Sequence, residues 1–261
     1  MINHKGHTCA CGTVQAKVTK ASLCRLRNFA CTSAGTSVSF VPFVVKNMSK
    51  RAVIFVNGHL PDLEPARRLI CPDDTLIAAD GGTQHILALG LLPSLVIGDL
   101  DSLAADDRRR LEASGVEIRQ YPRDKDETDL ELALRFALEA GYRSILILAA
   151  LGGRLDQSLG NLALLTDPSL AEFDLRLDDG VEEAFFVREQ TDVQGRPGDT
   201  LSLIPWGSPA EGVTTGGLRW PLRGETLCPD KTRGISNEML GETAIVSLES
   251  GLLLCIHRRN R

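Results

Sequence analysis

From Arg51 to about Asp178 the chain repeats one grammar: a short apolar run, a polar or glycine turn, then an amphipathic segment. The runs at 52–56, 75–79, 94–97, 116–120 and 144–149 are mostly continuous Val, Ile, Leu and Ala. Strands covered on both faces read this way. The segments near 64–70, 82–89, 103–113, 128–140 and 154–166 read as helices. Gly90, Gly115 and Gly141 follow helical runs as left-handed caps, and Thr128-Asp129-Leu130-Glu131 is a capping box. Such alternation predicts a doubly wound, mainly parallel α/β sheet with flanking helices.

After about Gly180 the grammar changes. Gly and Pro punctuate short runs at 184–187, 200–205, 213–218, 244–248 and 252–257, which predicts a smaller all-β sandwich or barrel. We therefore divide the chain into an α/β domain over 48–179, a β domain over 180–261, and an extension outside the fold over 1–47. That extension holds six Lys or Arg and no Asp or Glu, so the net charge of -5 averages a basic leader with a strongly acidic remainder. Its basic, acid-free composition also suits an organelle transit peptide, and Met48-Ser49-Lys50 resembles a natural start. His4, His7, Cys9 and Cys11 match no closed pair of zinc knuckles. Cys71, Cys228 and Cys255 are odd in number and far apart, the pattern of a reducing compartment such as the cytoplasm. An acidic chain without a basic stripe fits nucleic acid poorly, and no run approaches the ~18 apolar residues of a membrane span.

Polar residues gather where the first five strands end. They are Asn57, Asp80-Gly81-Gly82, Gly98-Asp99-Leu100-Asp101-Ser102, Asp124 to Asp129, and Gly152-Gly153-Arg154-Leu155-Asp156. In open α/β sheets that edge binds ligands. Asp80, Asp99, Asp101, Asp126 and Asp129 would repel one another there unless a cation neutralised them. Mg2+ takes one or two protein carboxylates and completes its shell with water and substrate phosphates. Asp99 and Asp101, two apart on an extended segment, face the same side. The alternative is that Asp99 and Ser102 cap the next helix. Lys125 and Arg154 supply cations, and Gly152-Gly153 lets backbone amides approach an anion. These are the parts of phosphoryl transfer. No P-loop, no G-x-G-x-x-G and no G-x-S-x-G occurs, which removes three common α/β readings. In the β half, Trp220 sits beside Thr, Ser and Asn and is either core or a stacking plate for an aromatic ligand.

Taken in order, six motifs resemble the thiamine pyrophosphokinase (thiamin diphosphokinase) family. They are DGG at 80–82, GDLDS at 98–102, D-x-D-x-T-D at 124–129, GGRLDQ at 152–157, TTGGLRWPL at 214–222 and SNE at 236–238. The resemblance runs from Ala52 to His257 and leaves out 1–47. It implies Mg2+-dependent transfer of the β,γ-diphosphate of ATP to the hydroxyl of thiamine, giving thiamine diphosphate and AMP. It also implies a homodimer, with ATP and metal in the α/β domain and thiamine bound with help from the β domain at the subunit interface. By motif, Asp99, Asp101 and Asp129 would hold Mg2+, with Asp80, Gly81 and Gly82 close by. Asp126, Thr128 and Gly153 fall in the nucleotide-binding loops. Arg154 and Asp156, with Gln157, would contact the phosphates or the reacting hydroxyl. Trp220 would stack on the pyrimidine, with Ser236 and Asn237 nearby for hydrogen bonds. One departure is visible: the family often reads DGGAN, and here Gln84 takes the place of that Asn.

A primary alcohol is not ionised at neutral pH, so its attack needs a carboxylate to accept a proton. Asp101 and Asp129 are both candidates. Two rival readings stay open at this point: diphosphate transfer to another heteroaromatic alcohol such as a hydroxymethylpterin, and a non-catalytic thiamine or nucleotide sensor.

Overall fold

The computed structural model describes residues 50–60 and 62–260. The leader 1–47, with its His and Cys cluster, lies outside the described residues. Each apolar run of the first half forms a strand: β1 (Arg51–Phe55), β2 (Thr75–Ala79), β3 (Leu95–Gly98), β4 (Glu117–Gln120) and β5 (Ser144–Leu148). Between them lie α1 (Leu63–Arg67), α2 (Gly82–Ala88), α3 (Ala105–Ala113) and α4 (Asp129–Glu139), and α5 (Leu155–Leu164) follows β5. Helix α1 stops short of the expected 70 because its last turn tightens, with Leu69 N–H bonding Ala66 O and Ile70 N–H bonding Arg67 O. Thr128 caps α4 as expected, its hydroxyl accepting from Glu131 N–H at 3.2 Å.

The continuous apolar runs follow from burial on two faces. Val53 and Phe55 pack with Ala66, Ile86 and Leu111 from α1, α2 and α3. Ala52 and Ile54 point the other way, toward Leu130, Leu134 and Ala137 of α4. Each fully buried large side chain contributes about 1.5–3 kcal/mol. With β6 (Asp174–Asp178), the parallel strands run in the order β6-β5-β1-β2-β3-β4. The order reverses between β1 and β5, which opens a crevice at their carboxyl ends.

The β half is built from β7 (Glu182–Val187), β8 (Gln190–Gln194), β9 (Thr200–Pro205), β10 (Ala210–Gly216), β11 (Arg223–Leu227), β12 (Asn237–Glu238), β13 (Thr243–Ser247) and β14 (Leu253–Arg258). Strands β7, β14, β9 and β12 continue the parallel sheet in antiparallel fashion to ten strands. The continuation hinges on two residue pairs, Leu177 with Ala184 and Asp178 with Glu183. A second sheet, β11-β10-β13-β8, packs on one face of it. Phe185, Leu203 and Cys255 meet Val193, Val213 and Val246 in the shared core. Trp206 is partly buried against the core, edge-on to Phe186 with ring centroids 5.5 Å apart. Cys71, Cys228 and Cys255 are free. Cys255 is buried as a small hydrophobe, which pushes its thiol pKa up, whereas Cys71 is exposed beside Arg51. No helix among the described residues is long and apolar enough to cross a membrane.

A charged cluster ties the sandwich together. His257, 1% exposed, lies with Nδ1 3.0 Å from Glu183 Oε1 and Nε2 3.0 Å from Asp199 Oδ2. Burial pushes the imidazole pKa down, but the two carboxylate hydrogen bonds outweigh it and raise the pKa above its ordinary value. Burial also pushes Glu183 and Asp199 up, and there the hydrogen bonds to His257 outweigh it and hold both below the usual range. The imidazolium's stabilisation is therefore complete below about pH 6.5 and is lost as pH rises through the raised value. Replacing one member of such a buried cluster costs ~3–5 kcal/mol. His257→Gln should lose that much in urea unfolding at about pH 6, with the gap to wild type narrowing as pH rises. A pH-independent gap would count against the charged cluster.

Candidate active site

The carboxyl ends of β1, β2, β3 and β5 approach one another so closely that side chains are excluded. A Cβ on Gly82 would lie 2.0 Å from the Phe55 carbonyl oxygen, and one on Gly58 2.2 Å from that of Ala149. One on Gly81 would strike the Asn57 amide at 2.3 Å. The D-G-G motif is thus a packing requirement: α2 starts against the end of β1. Asp80, Leu100 and Ala149 take left-handed backbone at φ 42°, 65° and 55°. Such residues cluster where structure is held for function.

This crowding delivers three carboxylates to one point. Asp80, Asp99 and Asp101 each offer an oxygen within 4.8 Å of the others. Asp80 Oδ2 accepts from Ser102 Oγ at 2.7 Å, while its Oδ1 is buried with no hydrogen-bond partner. Asp99 Oδ1 accepts from Asp101 N–H at 3.1 Å, closing the loop on itself. The capping alternative does not hold, since α3 is capped at Ala104 without a side-chain bond. An unsatisfied buried carboxylate oxygen facing two further carboxylates fits a hard divalent cation.

Asp129 stands apart from that cluster. It opens α4 and places Oδ1 2.9 Å from Lys125 Nζ. Burial raises its carboxyl pKa above the ordinary range, Lys125 pulls it back, and the charges of Asp80 and Asp99 add to the rise. Lys125, Thr128 and Asp129 line a cleft of about 560 Å3 together with Asp80, Gly152, Gly153, Arg154 and Gln157. Gly152 and Gly153 are both left-handed, and Arg154 forks onto Asp156 through Nε at 3.1 Å. That pairing, followed by the Gln157 N–H, holds the Asp156 carboxyl below its usual range. Asp126 and Gln84 are exposed and line no part of this cleft, and Gln84 lines a separate groove with Leu87 and Gly90.

Two residues of the cleft escaped the sequence reading. His59 lies opposite the glycine loop, its N–H bonded to Leu151 O at 3.1 Å, and a Cβ on Gly152 would touch its Cβ at 2.9 Å. Asn161 is buried and donates to Ala150 O at 2.6 Å, pinning the loop after β5. The Asn-Gly-His run after β1 is a visible signal for His59, whereas Asn161 reads as an ordinary helix residue.

Trp220 is half exposed, so it is not core. The Arg219 guanidinium covers one face at 5.2 Å from the ring centroid and pairs with Glu238 at 3.0 Å. Asn237 bonds the Trp220 backbone, and Ser236, at φ 58°, donates its N–H to Ser202 Oγ at 3.0 Å.

A three-carboxylate cluster, one member of which lines a cleft with Gly152, Gly153 and Arg154 at the switch point of a doubly wound sheet, has the parts that a phosphoryl-transfer enzyme needs. Comparison with known proteins narrows the class. Residues 66–177 match the family described as "Thiamin pyrophosphokinase, catalytic domain" and residues 188–253 "Thiamin pyrophosphokinase, vitamin B1 binding domain". Thiamine pyrophosphokinase from Bacillus subtilis (strain 168) is 32% identical over 182 residues, covering 69% of this chain and 85% of that protein. Thiamine pyrophosphokinase 1 from Oryza sativa subsp. japonica is 29% identical over 234 residues, covering 80% and 88%. The crystal structure of the Bacillus subtilis enzyme superposes with TM-score 0.74 at 28% identity, covering 81% of this chain and 100% of that one. The chain belongs to the thiamine pyrophosphokinase family.

The crowding at β1 makes a test independent of activity. Gly82→Ala forces a carbon against the Phe55 carbonyl. It should lower stability by ~1–3 kcal/mol or more, as overpacking does. Thermal unfolding measures it, and an unchanged midpoint would mean that α2 can move off β1.

Proposed function

We propose that the carboxyl-edge cleft transfers the β,γ-diphosphate of ATP as a unit to the hydroxyl of thiamine, releasing AMP and thiamine diphosphate. One observation carries the chemistry: the unsatisfied Asp80–Asp99–Asp101 cluster opens through Asp80 onto the cleft that holds Lys125, Gly153 and Arg154. Asp99 and Asp101, with Asp80, would hold Mg2+, which supplies charge neutralisation at the triphosphate.

The chain's own groups do the rest. Lys125 and Arg154 take up phosphate charge, Arg154 being steered by Asp156. Backbone amides near Gly153, with Thr128 and Gln157, position the diphosphate. Asp129 accepts the hydroxyl proton, since a partly buried carboxylate of raised pKa is a stronger base than an exposed one. The open face of Trp220 stacks on the thiamine pyrimidine, with Ser236 alongside. The 48–179 segment handles ATP and metal, and 180–261 handles thiamine. Among the described residues the cleft is lined by none beyond Asn161, which supports a homodimer in which one subunit's Trp220 serves its partner's cleft. Among the described residues, the free thiols of Cys71, Cys228 and Cys255 fit the cytoplasm.

The deciding assay incubates the protein with ATP, Mg2+ and either thiamine or a hydroxymethylpterin, and quantifies AMP and the diphosphorylated product. AMP should form only with thiamine and Mg2+; AMP with the pterin alone, or none, sinks the reading. Asp101→Ala should cut kcat by more than ~100-fold, as loss of a principal electrostatic stabiliser does; near-normal turnover would remove the metal assignment. Trp220→Ala should raise KM for thiamine ~10–100-fold, the range expected from a lost stacking partner. An unchanged KM would take the ligand away from Trp220.

A further inference from the structure

Asn237 and Glu238 form β12, a two-residue strand on the edge of the ten-stranded sheet, paired with Leu201 and Thr200 of β9. From that edge they grip the segment carrying Trp220. Asn237 Oδ1 accepts the Trp220 N–H at 3.1 Å and also the Glu238 N–H at 2.9 Å, while Asn237 Nδ2 donates to the Trp220 carbonyl at 2.7 Å. Arg219 N–H bonds Glu238 O at 2.9 Å, and Leu218 bridges to Met239. The Asn237 side chain is therefore occupied on both its oxygen and its nitrogen, and the residue is 8% exposed. Such an amide has little capacity left for a ligand.

We infer that Asn237 is a positioning residue: its amide clasps the Trp220 backbone so that the indole is presented in one orientation, and it does not itself bind the substrate. The clasp suits a ring that is half exposed and has no packed core around it to set its rotamer. Glu238 completes the device. It holds the Arg219 guanidinium on one indole face and neutralises it, leaving the other face open to a flat cationic ring. The inference rests on the proposal that Trp220 carries thiamine.

The test uses the full chain with Trp206→Phe, so that indole emission reports Trp220 alone, and compares Asn237→Ala with Asn237→Asp. The Asp variant keeps the oxygen that accepts both N–H groups but sets a second carboxylate oxygen against the Trp220 carbonyl, turning that attraction into a repulsion. Loss of both bonds to the Trp220 backbone predicts that Asn237→Ala raises KM for thiamine about 10-fold, with kcat and KM for ATP nearly unchanged, and that Asn237→Asp raises it as well. Without thiamine, collisional quenching of Trp220 by acrylamide should rise and emission anisotropy fall in both variants. A raised thiamine KM with unchanged quenching would make Asn237 a direct ligand contact and overturn the inference. Unchanged KM and unchanged quenching would overturn it as well. If Asn237→Ala does not fold, the Asp variant is judged by the same two readouts. Failure of the Trp220 reading shows separately, as an unchanged thiamine KM in Trp220→Ala, because the quenching is read without substrate.

Discussion

The structure depends on how tightly four strand ends converge. At Gly58, Gly82 and Gly98 one more carbon would lie 2.2, 2.0 and 2.8 Å from the neighbouring loop. Convergence at that range leaves no room for the chain to leave its strands in ordinary backbone, so it turns left-handed at Asp80, Leu100 and Ala149. Each such turn costs of order 1–3 kcal/mol and persists only where the surroundings over-determine it. Here the determinants are short bonds. Asp80 N–H reaches Ile97 O at 2.7 Å, and Asp80 O accepts from both Thr83 N–H and Thr83 Oγ1. With the backbone pinned and Oδ2 accepting from Ser102 Oγ at 2.7 Å, Asp80 keeps Oδ1 buried and without a partner.

Elsewhere the protein treats its buried acids differently. Asp178 lies on Arg259 at 2.8 Å, Asp74 on Arg51 at 2.6 Å, and Glu183 on Arg176 at 3.2 Å. Asp178 and Asp74 are each gripped by two guanidinium nitrogens, the geometry that best offsets carboxylate desolvation, and Glu183 takes a single bond from Arg176. A chain so rich in Arg has the means to neutralise the edge cluster too, yet the nearest arginine contact there is Arg123 to Asp101 at 3.8 Å on the surface. Among the described residues, the buried side-chain oxygens without a hydrogen-bond partner are Asp80 Oδ1 and Asp129 Oδ1, and both residues line the same cleft.

The first half of the fold was legible because strands buried on both faces must be apolar throughout, and because Gly90, Gly115 and Gly141 close helices in the left-handed form at φ 71°, 78° and 87°. The strands that went unread, β8, β11 and β12, are edges of their sheets with one partner each. An edge strand exposes much of its surface, so Gln190–Gln194 carries only Val193 as a buried apolar residue and shows no alternation to read. Strand β6 was hidden differently, its short Leu-Arg-Leu flanked by aspartates. At the site, residue types and spacings announced an acidic strand edge with Lys125 and Arg154 beside it. What they could not announce was partition: that Asp80 joins Asp99 and Asp101 while Asp129 turns to Lys125, four residues back on its own segment. That choice is made by the Gly98–Asp80 contact, a tertiary event between loops.

The same sheet argues about distance. Counting along it, Asn237 in β12 and Asp80 at the end of β2 are seven strand steps apart. At about 4.8 Å per step that is about 34 Å along the sheet, several times the reach of a two-ring substrate with a hydroxyethyl arm. A thiamine stacked on Trp220, which Asn237 touches, would present its hydroxyl far from the carboxylate cluster of the same chain. This separation adds to the support for the proposed arrangement, in which one subunit's Trp220 would lie against its partner's cleft. The rigidity of the clasp then matters more than it would inside one chain. In that proposed arrangement Trp220 would have no covalent neighbour in the site it serves, so its orientation would have to be set from its own side, by the edge strand behind it.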